Sequence, residues 1–456
     1  MNTITDARKI YELSKIWKEA AYNFAFWDKV DIDWDKAYET ALARVLDTKD
    51  LYDYYLELQR FVALLNDGHT DVSFPNEIVQ DAECFSMFPV YLAKPGDEII
   101  VAATSEDVKD DIPLCCVLVR IDGTDIRDYI RENCYPYLWH ANEAACGMFV
   151  LNRLVFGRRG SSAVFTFAKE GRQFDVRLER TDPSKIIWHQ AEPVPQSGAA
   201  PRTVSSSNVH TVQITDDGIA VIRIASFNDD AMPQKIYACF DELKNAKGYI
   251  IDVRGNSGGN SGNADAVAAM FINGDFHSCY AETQRYEPTY KAWAMFREDF
   301  KGLSLDDAML KYADDEYSLK AYRMRKNVFY VRDEGKAVVN TAPGRLNGPV
   351  AVLMNQYTFS AAEDFIDVMK MYTDAVFIGN NTGGTSGQPL CETLESGGCF
   401  RICTRRCIAQ NGEDIYNKGF TPDIRIIPTA EDIASGRDMA LEKGMEIINA
   451  SIRGYP

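Results

Sequence analysis

The stretch Asn-Gln-Tyr-Thr-Phe-Ser-Ala-Ala-Glu, residues 355–363, lies between an apolar strand, Val350 to Met354, and an apolar-periodic segment. The segment repeats apolar residues at helical spacing, at Ala361, Phe365, Val368 and Met369. The pattern predicts that Ser360 sits on a strand-to-helix turn, close to a helix N-terminus. Free backbone N–H groups and the positive end of the helix dipole meet at such a turn, where they stabilise a developing oxyanion. A serine there is also an ordinary N-cap residue, so Ser360 needs further context.

Composition limits the class of protein. The chain has 456 residues, 46% of them hydrophobic, which is enough for two or three domains. Its net charge of −18 argues against a nucleic-acid partner. No apolar run approaches the roughly 20 residues of a membrane span, and the first 20 residues lack a signal-peptide core. We therefore expect a cytoplasmic protein as given, or a periplasmic or exported one if a signal peptide was removed.

Periodicity divides the chain into segments. Residues 1–80 are predicted to be helical, with helices over Ala7–Phe26, Trp34–Leu46 and Leu51–Leu65. Short β-type runs and turns over residues 85–189 predict a small β-rich domain, interrupted by one helix. Residues 190–208, with their Pro, Gly, Ala and Ser content, are typical of a linker.

Strands and helices alternate over residues 209–456, which predicts an α/β domain with a largely parallel sheet. A polar, aromatic-rich stretch over residues 275–345 interrupts this alternation and is interpreted as an insertion with helical content.

Two further motifs carry candidate functional residues, one before the α/β domain and one within it. His69 follows Asp67-Gly68 at a predicted helix stop, where Gly68 permits close approach and Asp67 is able to orient an imidazole.

The second motif is the loop Asp252-Val-Arg-Gly-Asn-Ser-Gly-Gly-Asn260, which follows a buried strand. Its glycines permit positive φ and bring backbone N–H groups to a bound oxygen. An ordinary turn and a phosphate cradle are alternatives, but the loop has neither the P-loop nor the dinucleotide-binding order of residues.

Four of the eleven cysteines cluster at the end of the domain, at Cys391, Cys399, Cys403 and Cys407. Their spacing does not match a zinc knuckle and no histidine is near, so we expect them on the strands of a hairpin. The sequence predicts no metal site and no cofactor.

Together these motifs resemble the C-terminal processing and tricorn-type serine peptidase family, whose catalytic domain is ClpP/crotonase-like. The matching elements, in order, are Asp67-Gly-His-Thr70, Asp252-x-Arg-x-Asn-x-Gly-Gly259, Asn355 with Thr358-x-Ser-Ala-Ala-Glu363, and Lys418-Gly-Phe-Thr-Pro-Asp423. The resemblance implies an N-terminal helical cap over residues 1–80 and a PDZ-like domain over 85–189. It also implies peptide or protein substrates, while the oligomeric state stays unknown.

By the same resemblance, Ser360 is the nucleophile and His69 the general base. The alternative Ser-Lys dyad of the family is disfavoured, because the Gly-rich segment Asn381–Gln388 contains no lysine. The N–H groups of Ala361 and of Gly258 or Gly259 would hold the oxyanion.

The third catalytic residue is less defined. Tyr416 stands where tricorn-type members have a glutamate, and Gly68 replaces their serine. Glu413 is therefore the predicted substitute, with Glu363 and Asp67 as possible orienting groups. Two other functions remain open: a non-proteolytic relative that binds an apolar ligand, and a crotonase-like acyl-CoA enzyme.

Overall fold

Three helices form the N-terminal domain of the computed structural model, which describes residues 4–190, 201–333 and 335–454. The helices are α1 (Asp6–Asn23), α2 (Trp34–Asp47) and α3 (Leu51–Val62). Each helix has a side-chain N-cap. The side-chain oxygens of Thr5, Asp33 and Asp50 accept the N–H of the residue three positions later at 3.3, 3.0 and 3.0 Å. The three predicted helices are thus confirmed, with the first ending three residues before the predicted Phe26.

The chain leaves α3 through a tight turn. A 3-10 turn covers Ala63–Leu65, and Asn66 adopts a left-handed conformation with φ of 50°. Residues 67–70 then lead into strand β1 (Asp71–Ser73) and the short helix α4 (Asn76–Val79). His69 therefore lies between the helical domain and its first strand.

A β-rich domain follows. Its strands are β2 (Ser86–Met87), β3 (Val90–Ala93), β4 (Ile100–Ser105), β5 (Val117–Ile121), β6 (Thr124–Asp125), β7 (Phe156–Gly157), β8 (Ser162–Lys169), β9 (Arg172–Glu179) and β10 (Trp188–Gln190). Its helices are α5 (Ile126–Asn133) and α6 (Gly147–Val155), and short 3-10 turns cover Tyr135–Tyr137 and Pro183–Lys185. The main sheet has the order β10-β4-β5-β8-β9, and its neighbours are antiparallel.

The rest of the chain forms the α/β domain. Its strands are β11 (Arg202–Ser206), β12 (His210–Ile214), β13 (Ile219–Ile224), β14 (Gly248–Asp252), β15 (Phe276–His277), β16 (Tyr280–Gln284), β17 (Tyr330–Asp333), β18 (Ala337–Val338), β19 (Val350–Met354), β20 (Val376–Gly379), β21 (Gly387–Thr393), β22 (Cys399–Ile408) and β23 (Ile424–Arg425). Its helices are α7 (Met232–Tyr237), α8 (Phe240–Leu243), α9 (Ser261–Ala269), α10 (Pro288–Ala294), α11 (Leu305–Lys311), α12 (Glu316–Arg325), α13 (Ala361–Tyr372), α14 (Ala430–Ala434) and α15 (Met439–Gly454).

The central sheet of this domain has the order β11-β12-β13-β14-β19-β20-β23. The strands from β13 to β23 are parallel, while β11 and β12 are antiparallel additions at one edge. Strand β14 is buried along its whole length, as expected of a parallel strand covered on both faces. The mixed α/β class with a β-rich domain is therefore confirmed.

The predicted linker, residues 190–208, is only partly described, because residues 191–200 lie outside the described ranges. Its last part differs from the prediction, since Arg202–Ser206 forms β11 and pairs with β12. This strand, Arg-Thr-Val-Ser-Ser, is exposed or half-buried along its length, as is typical of an edge strand, and its composition alone does not separate it from a loop.

A long hairpin joins the N-terminal domain to the α/β domain. Strands β21 and β22 pair with each other, and β22 also pairs with β1 and β16. The N–H of Cys403 on β22 donates to Thr70 Oγ1 at 3.1 Å, and its carbonyl accepts the N–H of Ala25 at 2.9 Å. The predicted cysteine hairpin is confirmed, and it fixes residues 67–70 against the α/β domain.

The insertion over residues 275–345 contributes β16 and β17 to the hairpin sheet. Helices α10 to α12 enclose a small core of their own, made of Ala294, Phe300, Ala308, Tyr312, Ala321 and Tyr322. Within the described ranges, none of the helices is both long and apolar enough to cross a bilayer.

Candidate active site

The site lies at the carboxyl edge of the parallel strands, where loops in α/β sheets bind ligands. Asn256, in the loop after β14, connects three strand ends. Its side-chain Nδ2 donates to the carbonyl of Ile224 at 3.1 Å, and its main-chain carbonyl accepts the N–H of Phe359 at 2.9 Å. Thr358 adds a second connection, because its hydroxyl donates to the carbonyl of Val253 at 3.0 Å. The Gly-rich loop and the Ser360 turn are thus held together.

Ser360 has a strained backbone. Its φ of 53° and ψ of −127° fall in a region that residues with a Cβ rarely adopt. Such strain costs about 1–3 kcal/mol and collects at functional sites. Gly258 permits the turn, since a Cβ at this glycine would lie 2.6 Å from the Ser360 Cβ. The predicted strand-to-helix turn is confirmed, but Ser360 makes no side-chain cap.

Two backbone N–H groups beside Ser360 have no acceptor among the described residues, those of Ala361 and Gly259. The N–H of Gly258 is different, because it donates to Asn256 Oδ1 at 2.9 Å. The sequence left open whether Gly258 or Gly259 supplies the second donor. In the structure the N–H of Gly259 is free, whereas the N–H of Gly258 is engaged by Asn256. The free pair, together with the N-terminus of α13, is able to stabilise an oxyanion.

His69 lies in a turn that Asp67 holds. Asp67 Oδ2 accepts the N–H of His69 at 3.1 Å and the hydroxyl of Thr70 at 2.7 Å. The imidazole is only 7% exposed, and its Nδ1 has no hydrogen-bond partner in the described part of the chain. Burial, together with the nearby Arg401 guanidinium, lowers the pKa of His69 to about 3. The ring is therefore neutral near pH 7, the form that accepts a proton.

One cavity of about 400 Å³ receives both side chains. It is lined by Gly68, His69, Trp139, Phe149, Asn228, Ser257, Gly259, Phe359, Ser360, Thr385, Gly387, Gln388, Pro389 and Arg401. No hydrogen bond joins the His69 ring to the Ser360 hydroxyl among the described residues, so a productive complex requires them to move closer. The described residues of the insertion do not line this cavity.

Sequence reasoning missed Arg401 and Trp139 as cavity residues. Arg401 lies on β22, and its Nε donates to Asp71 at 3.2 Å. Trp139 comes from the β-rich domain, and its Nε1 donates to Asn417 Oδ1 at 2.9 Å. The sequence around a single arginine or tryptophan does not show that the residue lines a cavity. Arg401 and Trp139 reach this cavity only because separate domains pack together.

The groups predicted to orient His69 lie elsewhere. Glu363 is fully buried and accepts three hydrogen bonds from the Gly-rich segment, from Thr382 Oγ1 at 2.6 Å and from the N–H groups of Gly384 and Thr385 at 2.7 and 2.8 Å. Burial raises the pKa of Glu363 to about 7 against the effect of these donors. Glu363 therefore positions Thr385 and makes no contact with the imidazole.

Asp67 and Glu413 do not reach the ring either. Asp67 binds the backbone of the turn, and burial raises the pKa of its carboxyl to about 6. Glu413 is exposed in a turn near Asn411, whose side chain accepts its N–H at 2.9 Å, and it does not line the cavity. The prediction of Glu413 came from its position in the chain, and the path of the turn takes it away from His69.

Tyr416, at the position of the expected glutamate, packs into the N-terminal domain. Its ring stacks on Phe26 with centroids 3.8 Å apart and an interplanar angle of 12°. Burial raises its pKa far above the ordinary tyrosine range. A neutral phenol therefore lies behind the His69 turn where a carboxylate was expected.

Part of the chain matches a known protein family. Residues 218–426 match the model of peptidase family S41. The S41 region covers the central sheet from the start of β13 to β23, and with it Ser360 and both Gly-rich loops. The resemblance noted from the motifs is confirmed.

A relative from Bacillus subtilis (strain 168), the carboxy-terminal processing protease CtpA, is 24% identical over 214 residues. The match takes in 47% of this chain and 36% of that protease, so this chain spans about a third of the relative's length. Mature CPAF has the same fold over almost all of both chains, with a TM-score of 0.72, 16% identity and coverage of 99% and 98%. A putative peptidase from Parabacteroides merdae ATCC 43184 gives a TM-score of 0.52, 17% identity and coverage of 98% and 97%.

Proposed function

We propose that this protein is a serine peptidase of the S41 type, with Ser360 as nucleophile and His69 as general base. The observation that carries the proposal is the strained Ser360, flanked by two free N–H groups, in the same cavity as a neutral imidazole. The S41 match supports it, and so does CtpA, a carboxy-terminal processing protease by name. These likenesses favour a peptidase over an apolar-ligand carrier or an acyl-CoA enzyme.

The reaction is an acyl transfer in two halves. The Ser360 oxygen attacks a peptide carbonyl carbon while its proton passes to His69 Nε2, and the N–H groups of Ala361 and Gly259 hold the oxyanion. The C–N bond then breaks, and the imidazolium returns the proton to the leaving amine. Water, activated by the same imidazole, hydrolyses the Ser360 ester.

The low pKa of His69 places a condition on this mechanism. A buried imidazole without a partner on Nδ1 is a weak base, because nothing stabilises its protonated form. Ser360 Oγ has to come within about 2.6–3.2 Å of Nε2, which catalytic pairs often reach only with substrate bound. We therefore expect the Ser360–His69 hydrogen bond to form when substrate binds.

The experiment is labelling with a fluorophosphonate probe, followed by a peptide-hydrolysis assay. We expect labelling of the wild type, loss of labelling in Ser360→Ala, and a fall in kcat of about 1,000-fold or more in His69→Ala. Ser257→Ala is the matched control, because Ser257 lines the same cavity without positive φ and should keep its labelling.

His189→Gln is the control for the histidine, because His189 is partly exposed on β10 and distant in sequence from the site. Labelling that persists in Ser360→Ala, or no labelling and no hydrolysis by the wild type, would remove the proposal.

A further inference from the structure

A second cluster of reactive side chains lies behind the Ser360 helix. Cys279, Asp364 and Cys407 each bring one potential ligand atom, and these three atoms lie within 4.8 Å of one another. Cys279 precedes β16, Asp364 is in the first turn of α13, and Cys407 is on β22. Their residues are 4, 9 and 8% exposed. None of the three takes part in the proposed peptide cleavage.

Cys279 and Cys407 are both free thiols, and the strand register disfavours a disulfide between them. Ala281 pairs with Cys407 and Tyr280 with Ile408, so Cys279, the residue before β16, would be the diagonal neighbour of Cys407 if the register continued by one residue. Diagonal neighbours have Cα atoms about 7–8 Å apart, whereas a disulfide needs about 4.4–6.8 Å. A metal ion about 2.3 Å from each sulfur bridges such a pair without moving the strands.

Neighbouring polar side chains contact Asp364 and Cys279, as residues around metal ligands commonly do. The hydroxyl of Ser386 donates to Asp364 Oδ1 at 2.6 Å and orients the carboxylate. Arg405 Nη2 lies 3.8 Å from Cys279 Sγ. Within the described ranges Arg405 forms no salt bridge with a carboxylate, and its buried Nε has no acceptor. This guanidinium is therefore directed at a thiol and not at a carboxylate partner.

The charges of the ligands and of Arg405 balance when a divalent ion is bound. Two thiolates and one carboxylate carry three negative charges, and a divalent ion with Arg405 carries three positive charges. Neutrality matters here because unbalanced charge in a buried site costs several kcal/mol. Thiolates with a carboxylate suit zinc, whose usual coordination is tetrahedral.

We propose that Cys279, Asp364 and Cys407 bind a Zn²⁺ ion, with water in the fourth position. The ion connects β16, β22 and the first turn of α13, where the N–H of Asp364 donates to the carbonyl of Ser360 at 3.1 Å. Through Ser386 it also connects the Gly-rich segment. The ion would hold these elements together, and the site stands whether or not Ser360 cleaves peptides. The sequence analysis predicted no metal site and did not connect Cys279 with the cysteine hairpin, because the two are far apart along the chain.

The test is titration of the reduced, chelator-treated full chain with Co²⁺, followed by displacement with Zn²⁺. We expect one equivalent of Co²⁺ per chain, with the charge-transfer absorption of a cobalt–thiolate bond and the visible bands of a tetrahedral ion, both abolished by one equivalent of Zn²⁺. Zn²⁺ at a hundredfold excess over Kd should also raise Tm by about 3 °C. The measurement needs no variant, so a folding defect cannot obscure it.

Variants then assign the ligands. Cys279→Ser and Cys407→Ser should each lower Co²⁺ affinity by about 100-fold or more and reduce the charge-transfer band. Asp364→Asn should lower affinity by about tenfold and keep that band. Cys239→Ser is the matched control, since Cys239 is a buried thiol of the same domain outside the cluster, and it should bind like the wild type.

Three results would overturn the proposal. They are a wild type without the cobalt spectrum, a spectrum that survives in the Cys279→Ser/Cys407→Ser double variant, and a Cys279–Cys407 disulfide found by mass spectrometry in protein that was never exposed to reductant. The last result would make the pair a redox couple.

Discussion

The Ser360 turn and the His69 turn supply the two halves of one site, and they are built differently. The Ser360 turn is held by side chains of its own domain, with Asn256 and Thr358 bonded to neighbouring strand ends. The His69 turn has a local hydrogen bond to Asp67, but its ring has no partner on Nδ1, and its position depends on contacts from other domains. Ser360, the proposed nucleophile, is therefore preorganised by the α/β domain, whereas the position of His69, the proposed base, depends on domain docking.

Among substitutions outside the proposed Ser360–His69 pair, the largest effect is expected where the Ser360 turn is tightest. Gly258→Ala places a Cβ 2.6 Å from the Ser360 Cβ and 2.9 Å from the Ala361 nitrogen, at a φ of +97°. Because this displaces the nucleophile and an oxyanion donor together, kcat/KM should fall about 100-fold in the peptide assay.

Gly255→Ala separates this clash from backbone strain. Gly255 also has positive φ, +73°, but a Cβ there meets no heavy atom within 4 Å. Its substitution should cost about 1–2 kcal/mol of stability while kcat/KM stays within about threefold of the wild type. Equal losses in the two variants would show that strain, and not contact with Ser360, controls activity.

A smaller effect is expected at the His69 turn. Gly68→Ala brings a Cβ within 2.6 Å of Thr385 Cγ2, a contact between two domains. The turn is able to shift outward, so we expect a loss of about tenfold in kcat/KM, equivalent to about 1.4 kcal/mol.

The double variant tests the cause. Thr385→Ser removes the methyl group that obstructs the new Cβ, so Gly68→Ala/Thr385→Ser should recover most of the activity. A double-mutant cycle measures this coupling directly. Additive losses would mean that Gly68 acts through its backbone and not through Thr385.

The buried imidazole also gives the His69 turn a pH dependence. The pKa of His69 in the folded protein is about 3, below its ordinary value of 6.5. The unfolded state therefore takes up the proton first as pH falls below 6.5, and the folded state loses about 1.4 kcal/mol of stability per pH unit. His69→Gln removes this loss, which urea unfolding of both proteins at pH 7, 6 and 5 would measure.

Glu363, on the Ser360 side of the site, makes the stability depend on pH in the opposite direction. Its folded pKa of about 7 lies above the ordinary 4.5, so its contribution to stability falls as pH rises from about 4.5 to 7. Glu363 is present in both proteins, and its effect cancels in the difference. A wild-type minus variant difference that does not change between pH 7 and pH 5 would contradict the burial of a neutral His69.

The sequence predicted the parts that depend on local pattern. The strand, turn and helix around Ser360 follow from apolar periodicity, and the glycines at 258 and 259 from the need for close backbone approach. The meeting with His69 came from resemblance alone, because it requires β22 to cross to the N-terminal domain. The partners of Glu363 and the position of Glu413 depend on the paths of two loops, which periodicity does not contain. The proximity of Cys279 to Cys407 also depends on strand pairing and has no local sequence signal.

The smallest effect is expected at Tyr416, where the family pattern has a glutamate. Tyr416→Phe keeps the stack on Phe26 and removes only the hydroxyl, which interacts with Asn417. Because the ring packs and the hydroxyl does not hold the imidazole, kcat/KM should stay within about threefold of the wild type. Tyr416→Ala removes the stacked ring and should cost about 3–5 kcal/mol of stability by urea unfolding. A loss of 100-fold or more in the phenylalanine variant would instead make the phenol the group that orients His69, and the base would then be held by a residue of the α/β domain.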